Sequence, residues 1–94
     1  MTEAQGRNWD SSRMRREQDN WDEHAAFMDA LVEDGFVVLG GPVGTGEEVL
    51  LIVRAGSEVE IEARLAADPW LPMEILRIAK IEAWEILLGD PART

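Results

Sequence analysis

Three observations predict an α+β domain. Apolar residues recur at helical spacing between Trp21 and Val32, two short β-prone runs flank a glycine-rich stretch, and Ser57 with Glu60 opens a second helix.

Residues 1–18 hold little to bury. Trp9 and Met14 stand alone among Asp, Ser, Arg and Gln, so this segment reads as an extended polar arm. From Asn20 the pattern changes. Trp21, Ala25, Met28, Leu31 and Val32 form one helical stripe, with Phe27 beside it. Asp19 or Asn20 can cap this helix, and Asp22 and Glu23 suit the positive end of its dipole. Gly35 ends it as a left-handed residue. Phe36 to Leu39 are too few for a helix and are β-prone, so they form a strand. Gly40 to Gly46 reverse the chain, and Val49 to Val53 return as the second strand of a hairpin.

Ser57 and Glu60 have the spacing of a capping box. Val59, Ala63 and Ala66 share a helical stripe behind it, with Ile61 and Leu65 alongside. Pro69 pushes Asp68 out of the α region, so the helix ends before it. The last apolar segment, residues 75–88, divides the criteria. Propensity slightly favours helix, whereas Leu76 and Ile78, and then Trp84, Ile86 and Leu88, fit a strand period interrupted by Lys80 and Glu82.

Size and charge narrow the function. At 94 residues the chain is one domain with a small core, and it has no cysteine and a single histidine. Disulfides, thiolate–metal sites and a multi-imidazole zinc site within one chain are therefore excluded, and association with a second copy is the remaining way to gain stability. The net charge of −10 is spread evenly, nine acids and four bases over residues 1–34 and ten and five over 35–94. Such a surface repels phosphate backbones and anionic lipid, so neither nucleic acid nor membrane is an expected partner. No apolar run is long enough to span a bilayer, residues 1–10 lack the apolar stretch of a secretion signal, and cytoplasm is the expected compartment. No GxGxxG or GxxxxGK[ST] pattern is present, and nothing in the chain calls for a cofactor or a metal.

The order helix, hairpin, helix, apolar run is three-quarters of a ferredoxin-like β-α-β-β-α-β unit. Within it, Trp21-Asp22-Glu23-His24-Ala25-Ala26-Phe27-Met28, Asp34 to Pro42, and Ala67-Asp68-Pro69-Trp70 resemble the YCII-related (DGPF) family. Ile81 to Leu87 is similar to that family's closing strand, and the likeness spans about residues 9–89. The resemblance implies a dimeric α/β barrel, two ferredoxin-like sheets packed face to face around a shared cavity that takes a small-molecule ligand. It also implies that the ambiguous last segment is a strand. The expected organisation is a polar arm over 1–18, the α+β domain over 19–89 and a tail over 90–94.

One departure stands out. Family members open with an apolar first strand, whereas Met1-Thr2-Glu3-Ala4-Gln5 has no hydrophobic alternation. The expected fold is therefore a ferredoxin-like dimeric barrel subunit lacking its first β-strand. Either the recorded start lies downstream of the true one, or another segment or subunit fills the gap, because a missing central strand leaves backbone groups unsatisfied.

His24 is the one side chain that ordinarily titrates near neutrality, and so the natural proton shuttle. Asp68 is a turn residue at a helix end on one view. On the other, which the resemblance proposes, it points at His24 and fixes the imidazole for acid–base work. Gly40, Gly41 and Pro42 read either as a plain turn or as a backbone cradle for an anion, with Gly41 and Pro42 the candidate ligand contacts. Arg13, Arg15 and Arg16 suit either a solvated arm or a substrate carboxylate. Trp21, Trp70 and Trp84 read as core or dimer-contact residues. Two functions stay open: a small dimeric enzyme doing elimination or isomerisation on a small organic acid, and a non-catalytic ligand-binding or regulatory dimer.

Overall fold

The computed structural model describes residues 1–89, so the tail expected at 90–94 lies outside the described residues. Along the chain come β1 (Thr2–Gln5), a 3-10 turn (Arg15–Glu17), α1 (Trp21–Glu33), β2 (Val37–Val43), β3 (Glu48–Val53), α2 (Glu58–Leu65) and β4 (Leu76–Lys80). The strands make one sheet in the order β2-β3-β1-β4, with every neighbouring pair antiparallel. With two helices as crossovers, this is the ferredoxin-like order. No described helix is long and apolar enough to cross a membrane.

The expectation of a missing first strand is corrected. Thr2–Gln5 lies between β3 and β4, pairing Glu3 with Val49 on one side and with Ile78 on the other. Backbone pairing on both edges makes this strand, and that needs no apolar side chains. Met1 extends the pairing: its ammonium group donates to the Leu51 carbonyl (2.9 Å), and Leu51 N–H donates to the Met1 carbonyl (2.8 Å). Residues 1–18, read as an extended arm, thus include a central strand and a turn, and Gln18 is buried. Close packing follows at Gly6, whose N–H donates to the Ile75 carbonyl. A Cβ there would lie 2.1 Å from the Glu74 carbonyl oxygen, so only glycine fits.

α1 begins at Trp21 and stops where expected, with Gly35 at φ 84°. Its start is built differently from the expected cap. Asn20 is left-handed (φ 60°) and its side chain makes no capping bond. In α2 the Ser57 hydroxyl accepts from Glu60 N–H (3.2 Å), but the Glu60 carboxylate accepts from Gly56 N–H (2.7 Å), one residue earlier than a capping box requires. The buried face of α2 is Ile61 and Leu65, not the Val59 stripe, and Val59 is exposed. One turn apart, Ile61 and Leu65 bring larger side chains to the sheet than Ala63 and Ala66 could.

Residues from both helices and three strands form a single apolar layer. Leu31, Phe36, Val37, Leu51, Ile61 and Leu65 are its buried members, and Val49, Val53 and Ile78 pack against them. A second, aromatic cluster centres on Trp70, Ile75 and Leu76, with Trp9 and Trp21 at its border.

The closing strand takes up only the first part of the segment expected as a strand over 75–88: it is Leu76–Lys80, and it does not extend over residues 81–87. The cause is length: β1 has four residues, its register ends at Thr2 opposite Lys80, and Met1 is already bonded to Leu51. Beyond Lys80 the chain has no strand to pair with. Residues 81–89 run without regular structure and expose Trp84, Leu87 and Leu88.

Candidate functional site

His24 projects from the first turn of α1 toward the connection between α2 and β4. His24 N–H donates to the Asn20 carbonyl (3.0 Å), so the left-handed Asn20 sets the angle at which the helix delivers the imidazole. Asp68 sits three residues beyond α2, anchored by its own N–H to the Leu65 carbonyl (2.9 Å). Its Oδ1 accepts from Trp70 N–H (3.0 Å), an Asx turn that fixes the carboxylate.

The two side chains meet although they are 44 positions apart. His24 Nδ1 lies 2.8 Å from Asp68 Oδ2 and 3.0 Å from Oδ1. Burial makes the pairing obligatory, since Asp68 is 0 % exposed and His24 6 %. An ionised carboxylate only accepts, so Nδ1 is the nitrogen that carries hydrogen. Nε2 makes no hydrogen bond to a described residue and is the nitrogen left for chemistry.

Aromatic rings wall this pair. Trp70 stacks on the imidazole at 3.8 Å between centroids and 6° between planes. Trp21 tilts against both rings at 5.8 Å, and Trp9 meets Trp70 edge-on at 6.1 Å. Trp70 Nε1 donates to the Asp19 carbonyl (2.6 Å), tying the wall to the residues that lead into α1. Gln18 holds the preceding loop shut: its amide donates to the Asp10 and Arg13 carbonyls (2.8 and 3.1 Å) and its oxygen accepts from Asp10 N–H (3.0 Å). Arg15 lies over the Trp9 ring at 5.2 Å and Arg16 over Trp21 at 6.0 Å, the arrangement of cation–π contacts.

Glu3 is the unexpected member. It is 2 % exposed, and its Oε2 is buried without a hydrogen-bond partner among the described residues. Burial first, and the Asp68 charge second, push the Glu3 carboxyl from 4.5 up to about 7, against the lowering field of Arg15. Among the described residues, no three His, Asp or Glu groups are placed to hold a metal ion.

The candidates named from sequence separate here. His24 and Asp68 come together. Gly41 and Pro42 do not join them: both lie in β2 rather than in a turn, opposite Leu50 and Val49. β2 is an edge strand, which explains how a proline is accommodated. Arg13 pairs instead with Asp10 (3.1 Å) and Asp19 (3.2 Å), and Ser57 is a helix cap. Glu3 and the stacked Trp70 were not foreseen as site residues. No sequence signal marks Glu3, because an inward-facing acid is meaningful only once β1 is known to be a strand.

A cavity of about 800 Å³ lies elsewhere, between β3, the start of α2 and the segment after β4. Leu50, Ile52, Arg54, Ser57 and Trp84 line it, while His24 and Asp68 do not. The open volume and the acid–base pair are therefore separate features of one chain. Geometry gives the pair the stronger claim to chemistry, because a cavity alone supplies no reacting group. No family model, no curated protein and no solved structure matches this chain.

Proposed function

We propose that the chain is a YCII-like protein of the cytoplasm, working as a homodimeric α/β barrel. In this reading His24 transfers protons during elimination or isomerisation of a small organic acid. The supporting observation is the buried contact of His24 Nδ1 with both Asp68 oxygens. Asp68 orients the ring and supports its charged form, which leaves Nε2 to take a proton from carbon or to return one. The exposed Leu39, Val43, Leu50, Trp84 and Leu87 favour a second copy, since a chain of this size gains from covering such residues.

The test uses deuterium exchange. Wild-type protein is incubated in D2O with a panel of small aliphatic, cyclic and aromatic organic acids, and proton NMR follows exchange beside the carboxyl group. Exchange on at least one acid is expected, falling by about 100-fold or more in His24→Gln. No exchange on any acid, or exchange undiminished in His24→Gln, removes the catalytic reading.

The separation of the cavity from His24 favours a second reading, a non-catalytic ligand-binding or regulatory dimer. On that reading a ligand perturbs the NMR signals of Leu50, Ile52 and Trp84 and leaves those of His24 unchanged.

A further inference from the structure

The buried carboxyl that the proposed chemistry leaves unused is Glu3. The β1 register turns it toward the helices, because its partners across both strands, Val49 and Ile78, pack in the layer between sheet and helices. Asp68 is fully buried on the α2–β4 connection, bonded to Trp70, which packs with Leu76 of the strand paired beside β1. We propose that Glu3 and Asp68 form a coupled carboxyl pair that holds one proton, with Glu3 the member that carries it, as a reservoir beside His24.

Partner counting assigns the proton. Both Asp68 oxygens face the His24 Nδ1–H, and Oδ1 also accepts the Trp70 N–H, so Asp68 is built to be an anion. Glu3 has no such donors: Oε2 is buried and alone among the described residues. Of two carboxyls sharing a dry layer, the one without donors holds its proton to the higher pH.

The charged surroundings agree. Arg15, on the 3-10 turn, acts on Glu3 by its field, yet makes no ion pair among the described residues that would hold Glu3 as an anion. On β3 and β4 the facing side chains are apolar, and from α1 the titratable group is His24, already bonded to Asp68. Burial and the Asp68 charge both raise the Glu3 carboxyl, to about 7. A proton held near neutrality is one the site can release and recover during a reaction cycle. On release the Glu3 O–H bond breaks and the proton passes to the Asp68 carboxylate, so the pair keeps one proton between its two carboxyls, and the reverse transfer restores Glu3 when the cycle closes.

This proposal rests on the acid–base reading only for the use made of the proton, and the two fail separately. Absent deuterium exchange removes the catalysis, while the reservoir is tested on Glu3 itself. Carbon-13 NMR of the Glu3 carboxyl in wild-type protein follows its titration, which is repeated in Asp68→Asn. A wild-type midpoint near 7 is expected, moving toward the ordinary carboxylate range in the variant. A purely structural Glu3 would not move with Asp68. A wild-type midpoint below 5, or one unchanged in Asp68→Asn, overturns the proposal. If Asp68→Asn does not fold, Glu3→Gln replaces it. Thermal unfolding of wild type should then lose stability between pH 5 and 7 while Glu3→Gln stays flat, and parallel curves overturn the proposal.

Discussion

Two clusters share the space between sheet and helices, and they are built on opposite principles. The apolar one, around Leu31, Phe36, Leu51 and Leu65, contains nothing that titrates. The other surrounds Trp70, which stacks on His24 and donates to Asp68, and Glu3 lies where the two clusters meet, between Val49 and Ile78; these three ionisable groups are each less than a tenth exposed. The first contributes stability through area removed from water. The second gives up some of that gain to hold polar groups in a dry place. Burial of apolar area is thus concentrated in one half of the layer and buried ionisable groups in the other, and the two should respond differently to pH.

The largest expected effect belongs to the apolar cluster. Leu65→Ala should cost about 2–5 kcal/mol, read by urea unfolding, because a fully buried side chain leaves a cavity. The loss should be the same at every pH from 4 to 8. A pH-dependent loss would merge the two clusters into one.

Glu3→Gln should do the reverse, stabilising the protein, and only in part of the pH range. The folded-state value of Glu3 lies above its unfolded value, so the folded chain binds the extra proton between about 4.5 and 7. Wild-type stability is therefore full below 4.5 and falls as pH rises through this window. The glutamine variant, with nothing to ionise, should match wild type at pH 4 and exceed it by up to about 3 kcal/mol at pH 8, at ~1.4 kcal/mol per pKa unit. Equal stability at both pH values would mean that Glu3 ionises without penalty.

Asp68→Asn should cost about 1–3 kcal/mol by the same unfolding measurement, since it withdraws one oxygen acceptor from a fully buried pair. The smallest effect should come from Trp84→Ser, at a residue 65 % exposed. It should change chain stability by less than about 0.5 kcal/mol. On the dimer reading it should nevertheless weaken self-association in sedimentation experiments.

Much of the framework was legible in the residues because it depends on local chemistry. The helix begun at Trp21, its stop at Gly35, the Ser57 cap and the apolar run at 49–53 each declare themselves within a few positions, although Val32, placed on the helical stripe, is exposed. His24 and Asp68 were legible as candidates, and their contact required the fold. What escaped depends on pairing over long distance. Thr2–Gln5 is a strand because β3 and β4 lie on either side of it, and its own side chains carry no such pattern. Ile81 to Leu87 has the alternation of a strand and is none, because the pairing with β1 ends at Thr2 opposite Lys80. Gly41 and Pro42 looked like a turn from composition, and edge-strand pairing with β3 overrode it.

The most direct measurement is a long-range proton–nitrogen NMR spectrum of the His24 ring in wild type and in Asp68→Asn. A buried carboxylate bonded to Nδ1 predicts a wild-type ring with hydrogen fixed on Nδ1, and a ring that exchanges between tautomers once the carboxylate is gone. A wild-type ring carrying its hydrogen on Nε2 alone, or averaging freely between both nitrogens, would contradict the paired site from which the acid–base function is argued.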